Sequence, residues 1–192
     1  MARWEPGATQ RLVVAAVDLF NEQGYDATTV AQIAERAGVT KSTFFRHFSD
    51  KRELLVAGQE TLSRLLADGI ADAPEGSTAL DAVAAGLERA SNAMGPTNRE
   101  LGPRIKAAVA ASTELQERDA LKTVGMAAAM TNALVDRGFP EPTAHLAGEL
   151  GVLAFKRGYT AWSENESGKS ESLAPYAAAA LHEMRSIATT LN

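Results

Sequence analysis

The sequence predicts an all-α protein of about nine helices, on three observations. Alanine is abundant from end to end, runs of β-branched residues are absent, and no stretch alternates apolar and polar residues as a half-buried strand would. Hydrophobic residues make up 45% and charged residues 22% of the 192, the balance of a globular chain and not of a disordered one. There is no cysteine, which excludes disulfides, thiolate metal sites and cysteine nucleophiles. The first residues, MARWEPGATQ, lack the apolar stretch of a signal peptide. No run approaches the roughly 18 apolar residues of a membrane span, so the expected location is the cytoplasm, with no membrane partner.

The helices follow in order. Leu12, Ala16, Leu19 and Phe20 share one face of a first helix over about Thr9 to Gln23, which Gly24 ends. Thr29 opens a second helix with Gln32 at capping-box spacing, Val30, Ile33, Ala34 and Ala37 form its buried stripe, and Gly38 turns it sharply. Thr40 caps a short third helix to about Phe48. Asp50 with Glu53 repeats the capping pattern and starts a fourth helix expected to run unbroken to about Ala71, with Gly58 its one weak point. Pro74 and Gly76 mark a loop, and a fifth helix covers about Ala79 to Met94. Gly95-Pro96 breaks the chain, and Pro103 interrupts or begins a helix containing Arg104 to Ala111. Further helices are expected over about Glu114–Arg137, Thr143–Glu164 and Leu173–Leu191, with a polar loop at 165–171.

Net charge is −5, which alone argues against nucleic acid. Its distribution does not. Residues 1–52 carry seven Lys/Arg against six Asp/Glu, net +1, and the remainder is −6. Five of those seven cations lie between Arg36 and Arg52, opposed there only by Asp50. This is either a small DNA-reading module on an acidic body or a solvated helical face.

Residues 40–48 decide more. At about 100° per residue, Phe44 and Phe48 fall together on one side. Ser42 and Arg46 point the opposite way, Thr43 and Phe45 flank them, and Lys41 sits at the helix start. Hydroxyls, a guanidinium and an ammonium on a convex face can bond base edges and phosphates in a major groove, whereas an enzyme needs converging acids, bases or nucleophiles. His47, His145 and His182 lie far apart in sequence, no residue set has metal-ligand or triad spacing, and there is no glycine-rich phosphate loop. Neither an enzyme nor a bound cofactor is expected. A helical adaptor that docks a protein on the same face is the other alternative.

The stretch FNEQGYDATTVAQIAERAGVTKSTFFRHFSDKREL, with the phrases GYDATTV, IAERAGV and HFSDKREL, resembles the tetracycline-repressor (TetR/AcrR) family of transcriptional regulators. STELQERD echoes wording that often opens the family's long seventh helix. The resemblance implies a three-helix helix-turn-helix domain at 1–54, joined by a long helix to a ligand-binding and dimerisation domain at 55–192. It implies that Lys41, Ser42, Thr43 and Arg46 contact base edges or nearby phosphates. It gives Thr29, His47 and Lys51 phosphate-anchoring roles; a polar residue packed beside the first helix is the alternative for His47. Phe45 stands where many members carry a tyrosine whose hydroxyl binds phosphate, so at most a van der Waals contact survives there; core edge is the alternative. Arg3 and Trp4 are either an arm for the minor groove or a frayed terminus.

For the C-terminal part, the resemblance implies a small-molecule pocket among helices 5 to 8. Met94, Met126, Met130, Phe155, Tyr159 and Trp162 are the candidate walls, with plain core as the alternative, and Arg104 and His145 are either polar selectors or surface residues. Leu146, Ala147, Leu150, Gly151, Leu153 and Ala154 on the eighth helix, and Tyr176, Ala180, Leu181, Met184, Ile187 and Leu191 on the ninth, suit a four-helix homodimer interface, with packing inside one chain as the alternative. A two-fold dimer matches a palindromic operator in double-stranded DNA. Repression, relieved by a small apolar or amphipathic effector, is the behaviour the resemblance implies.

Overall fold

The computed structural model describes residues 7–165 and 172–190. Arg3, Trp4, Leu191 and most of the loop expected at 165–171 lie outside the described residues. Among the described residues, every regular element is helical: α1 (Ala8–Gln23), α2 (Val30–Arg36), α3 (Lys41–His47), a 3-10 helix (Lys51–Val56), α4 (Gln59–Ala71), α5 (Ala79–Asn92), α6 (Pro96–Ala110), α7 (Thr113–Asp136), α8 (Glu141–Glu164) and α9 (Ala174–Thr190).

The expected fourth helix is not continuous. Asp50 accepts from the amides of Arg52 and Glu53 and so caps only the 3-10 helix. Gly58 then adopts φ 78°, a left-handed conformation that side-chain-bearing residues rarely adopt, and α4 begins after it. Pro103, in contrast, does not begin a helix: α6 starts at Pro96, where the missing N–H costs nothing, and runs through Pro103.

Two compact units result. The first comprises residues 1–57 together with 103–120, the second 58–102 with 121–192. The first unit therefore takes in a segment that the division at 54/55 placed with the C-terminal part. Its core joins Leu12, Ala16, Leu19 and Phe20 of α1 to Ile33, Phe44, Phe48 and Leu54, and Ala108 and Leu115 pack into it. The ion pair of Arg104 with Asp18, and a 2.9 Å bond from Asn21 Nδ2 to the Arg104 carbonyl, fasten that segment to α1.

The second unit buries Leu62, Leu66 and Ile70 of α4 against Val83 and Leu87 of α5, and Met130, Leu134, Phe155, Trp162 and Leu181 complete its core. Small residues set its helix spacing. A Cβ on Gly69 would lie 2.6 Å from the Gly86 Cα, and one on Gly158 would lie 2.6 Å from the Ala177 Cα, so α4–α5 and α8–α9 approach backbone to backbone. The small residues of α8 thus serve packing within the chain: Ala147, Gly151 and Ala154 are buried on its inner face. Leu146 and Leu153, 62% and 49% exposed, stand on the outer face with half-buried Leu150. On α9, Ala180, Leu181 and Met184 face inward and Ile187 outward.

Candidate nucleic-acid interface

The reading element is assembled from local signals. Thr29 Oγ1 accepts from the Gln32 amide while the Gln32 carboxamide accepts from the Thr29 amide at 2.8 Å, a closed capping box that starts α2. Gly38, at φ 67°, makes the turn, and the Val39 amide returns to the Ala34 carbonyl at 2.9 Å. Thr40 Oγ1 accepts from the Thr43 amide at 3.1 Å and starts α3. Phe44, with no exposed surface, pins α3 to the core, and Phe48 is buried at its C-cap.

What remains outward is Lys41, Ser42, Phe45 and Arg46, all exposed. The basic patch seen in the sequence is smaller in three dimensions. Arg36 is forked onto the two carboxylate oxygens of Glu22 at 2.9 and 2.8 Å, and this pairing holds the Glu22 carboxyl below its ordinary range. Arg52 Nε lies 2.8 Å from Asp50 Oδ2. Lys51 Nζ donates to the carbonyls of Tyr25 (2.6 Å) and Thr28 (2.9 Å) and sits 4.0 Å over the Tyr25 ring. Lys41 and Arg46 are left as the two cations of that stretch with no hydrogen bond or ion pair to any described residue. Both have the geometry to meet nucleic acid without first breaking a contact.

Several expected anchors are occupied otherwise. Lys51 is a half-buried tie across the loop before α2, not an outstretched phosphate ligand. The Thr29 amide and hydroxyl are both taken by Gln32. The Thr43 hydroxyl is half-buried and lies 3.0 Å from that of Thr40. His47 is half-buried, with Nδ1 3.3 Å from Thr9 Oγ1. Lys51→Ala is accordingly expected to cost about 1–3 kcal/mol of stability by stranding two carbonyls. Thermal melting checks this, and an unchanged melting temperature would return Lys51 to the phosphate role.

The network behind Lys51 has no signature in the sequence. The Tyr25 hydroxyl donates to Glu114 Oε1 at 3.0 Å, and Arg52 Nε lies 3.5 Å from the same oxygen. Burial, and then the bond to the Glu114 carboxylate, hold the Tyr25 phenol well above its ordinary range. The hydrogen bond from Arg52 is the largest influence holding the Asp50 carboxyl below the usual range. Because the folded value is depressed, Asp50 contributes stability at neutral pH that is lost as pH falls through the carboxylate range. Asp50→Asn keeps the cap but loses the charge pair. It is expected to melt lower than the parent at pH 7, by about 0.2–1 kcal/mol, with the gap closing as pH falls through the carboxylate range. A gap that persists at acid pH would contradict the charge pair.

The predicted ligand walls lie in the second unit. Met126, Met130, Phe155 and Trp162 are buried in the core of the second unit, and Met94 and Tyr159 pack half-buried against it. Burial pushes the Tyr159 phenol up to about 12, and its hydroxyl donates to the Asn98 carbonyl. Arg104 belongs to the first unit, paired with Asp18, and His145 is exposed on α8. Arg99, 8% exposed and 5.8 Å from the Trp162 ring, is the buried cation that was missed. A cleft of about 490 Å³ does open in the first unit, lined by Gln10, Arg11, Val14, Asp18 and Arg36 among others, none of them predicted. No group of three or more acidic, histidine or cysteine side chains among the described residues could hold a metal. No described helix is long and apolar enough to cross a membrane.

The family model of the bacterial regulatory proteins, tetR family, matches residues 12–57. The HTH-type transcriptional regulator TcmR of Streptomyces glaucescens is 36% identical over 86 residues, 41% of this chain and 38% of that protein. The match thus spans about two fifths of that relative. Among solved structures, FadR of Bacillus subtilis in complex with stearoyl-CoA has a TM-score of 0.58 at 19% identity, covering 90% of this chain and 95% of that one. FadR of Thermus thermophilus, a TetR-family repressor in complex with lauroyl-CoA, has a TM-score of 0.50 at 20% identity, covering 91% of each chain. At these identities the structural likeness is one of fold. The sequence match lies on α1 to the 3-10 helix, the stretch that builds the outward-facing α3, and over those residues the chain is similar to the tetR family of bacterial regulatory proteins.

Proposed function

We propose that this chain is a cytoplasmic, homodimeric transcriptional regulator that reads a palindromic operator through α3, represses from it and is released by a small amphipathic effector. One observation carries the DNA-reading part: Lys41, Ser42 and Arg46 stand exposed and without described partners on a helix that Phe44 locks to the core. A base-reading face needs donors that are both free and rigidly presented. The homodimer rests on the outer face of α8, where Leu146 and Leu153 form an exposed apolar surface that no described residue covers. Repression follows the resemblance.

The effector reading leans on the acyl-CoA complexes of the two fold neighbours and on Met126 and Met130, whose flexible side chains can repack around an inserted chain. Its route to the DNA-reading unit is not a rigid α4, because Gly58 interrupts that path. Helices α6 and α7 each contribute residues to both units and are the unbroken connections. A coupling of about 1–3 kcal/mol would lower operator affinity about 5- to 150-fold.

Fluorescence anisotropy with a random-sequence DNA duplex, across a salt series, tests the central reading. Affinity should fall linearly on a log–log plot, with a slope near −0.9 per phosphate neutralised. Absence of binding at low salt, or binding indifferent to salt, would favour a protein-docking adaptor instead.

A further inference from the structure

Three aromatics occupy the eight positions from Lys41 to Phe48, and they are treated differently. Phe44 and Phe48 are 0% and 6% exposed, whereas Phe45 is 56% exposed. It is also not loose. Its ring meets that of Phe44 edge to face, centroids 5.4 Å apart at 81°, so an outward ring rests on a locked one. On the helical wheel it lies about 60° from Ser42, on the side of α3 that also presents Lys41. The reading face therefore combines cationic and hydroxyl donors with a rigid, fully apolar plate.

We propose that Phe45 is a specificity-determining residue that reads thymine, its ring covering the C5-methyl group of one thymine in each operator half-site. The inference rests on the DNA-reading function proposed above. A phenyl ring has no donor or acceptor, so it cannot anchor a phosphate oxygen as a phenol does. The major-groove edges of guanine, cytosine and adenine present polar atoms that contact with a phenyl ring would leave unpaired, and thymine alone adds an apolar group there. Discrimination is then two-sided: the correct base gains methyl burial, and the wrong base loses water from a donor or acceptor it cannot replace. Lys41, beside it, supplies attraction that any sequence would feel, Arg46 reads the base pair it bonds, and Phe45 adds preference for thymine.

The test begins with a duplex enriched by the full chain from a random DNA pool. Each thymine is then replaced by deoxyuridine, which removes the methyl and leaves every hydrogen-bonding group, and affinity is read by anisotropy at fixed salt. Replacement at one thymine of each half-site should weaken binding about fourfold per methyl. The same replacement should leave Phe45→Ala unaffected, and that variant should already bind the thymine duplex as weakly as the parent binds the uracil one. Parent affinity indifferent to every replacement, or a penalty that persists in Phe45→Ala, overturns the assignment while leaving the DNA-reading function intact. A chain that enriches no duplex overturns the underlying function, and this inference with it.

Discussion

Arg46→Ala is expected to weaken operator binding by about 1–3 kcal/mol, about 5- to 150-fold, and to blur sequence preference at the base pair it reads. The size follows from the loss of a bidentate guanidinium from a face where it has no other described duty. The same feature makes the variant clean. Arg46 is exposed and has no described partner, so its removal should leave the melting temperature within experimental error. Lys51→Ala should behave in the opposite way, lowering stability through the Tyr25 and Thr28 carbonyls. Anisotropy on a matched duplex, beside thermal melting, separates the two. Equal operator affinity for Arg46→Ala and the parent would remove α3 from the groove.

The second large effect concerns assembly. Leu146→Glu with Leu153→Glu places two carboxylates on the outer face of α8, at positions 62% and 49% exposed in the single chain. A lone chain tolerates this. A two-fold dimer built on that face buries four uncompensated charges, each costing several kcal/mol, and should dissociate. Light scattering should show a dimeric parent and a folded, monomeric double variant with much weaker operator binding. Leu181→Glu is the contrasting case: at 2% exposure Leu181 is core, and its variant should unfold or precipitate. A monomeric parent at micromolar concentration, or a double variant that stays dimeric, would contradict the interface.

The parts of the fold legible in the sequence are those whose determinants are local. Thr29 with Gln32, the Gly38 turn and the Thr40 cap each act within a few residues, and the structure realises all three. The break before α4 was hidden because Leu55, Leu62 and Leu66 keep one helical period straight across Gly58. A mid-helix glycine costs only about 1 kcal/mol, so periodicity outweighs it on paper. In the structure that single stripe serves two cores: Leu54 and Leu55 belong to the first, Leu62 and Leu66 to the second.

The site was legible where exposure follows from the wheel and illegible where partners are distant. Phe44 inward and Arg46 outward needed only about 100° per residue. That Arg36 would be neutralised by Glu22, Lys51 by two loop carbonyls, and Tyr25 tied to Glu114 could not be read from spacing, since those partners lie 14 to 89 residues apart. The pairing of Arg104 with Asp18, on the first helix, was illegible for the same reason. Met126, Met130, Phe155 and Trp162 show why pocket walls are hard to infer: the apolar bulk that lines a cavity also fills a core.

The central claim is that α3 reads base sequence in two-fold symmetric DNA. Sequencing the fragments that the purified chain retains from genomic DNA at fixed salt tests it most directly, with Arg46→Ala run in parallel. The account predicts enrichment of an inverted repeat whose half-site centres lie about one helical turn, or a multiple of it, apart, and its loss with Arg46→Ala. A retained pool with the same sequence statistics as the input, or one enriched identically by the variant, would contradict it.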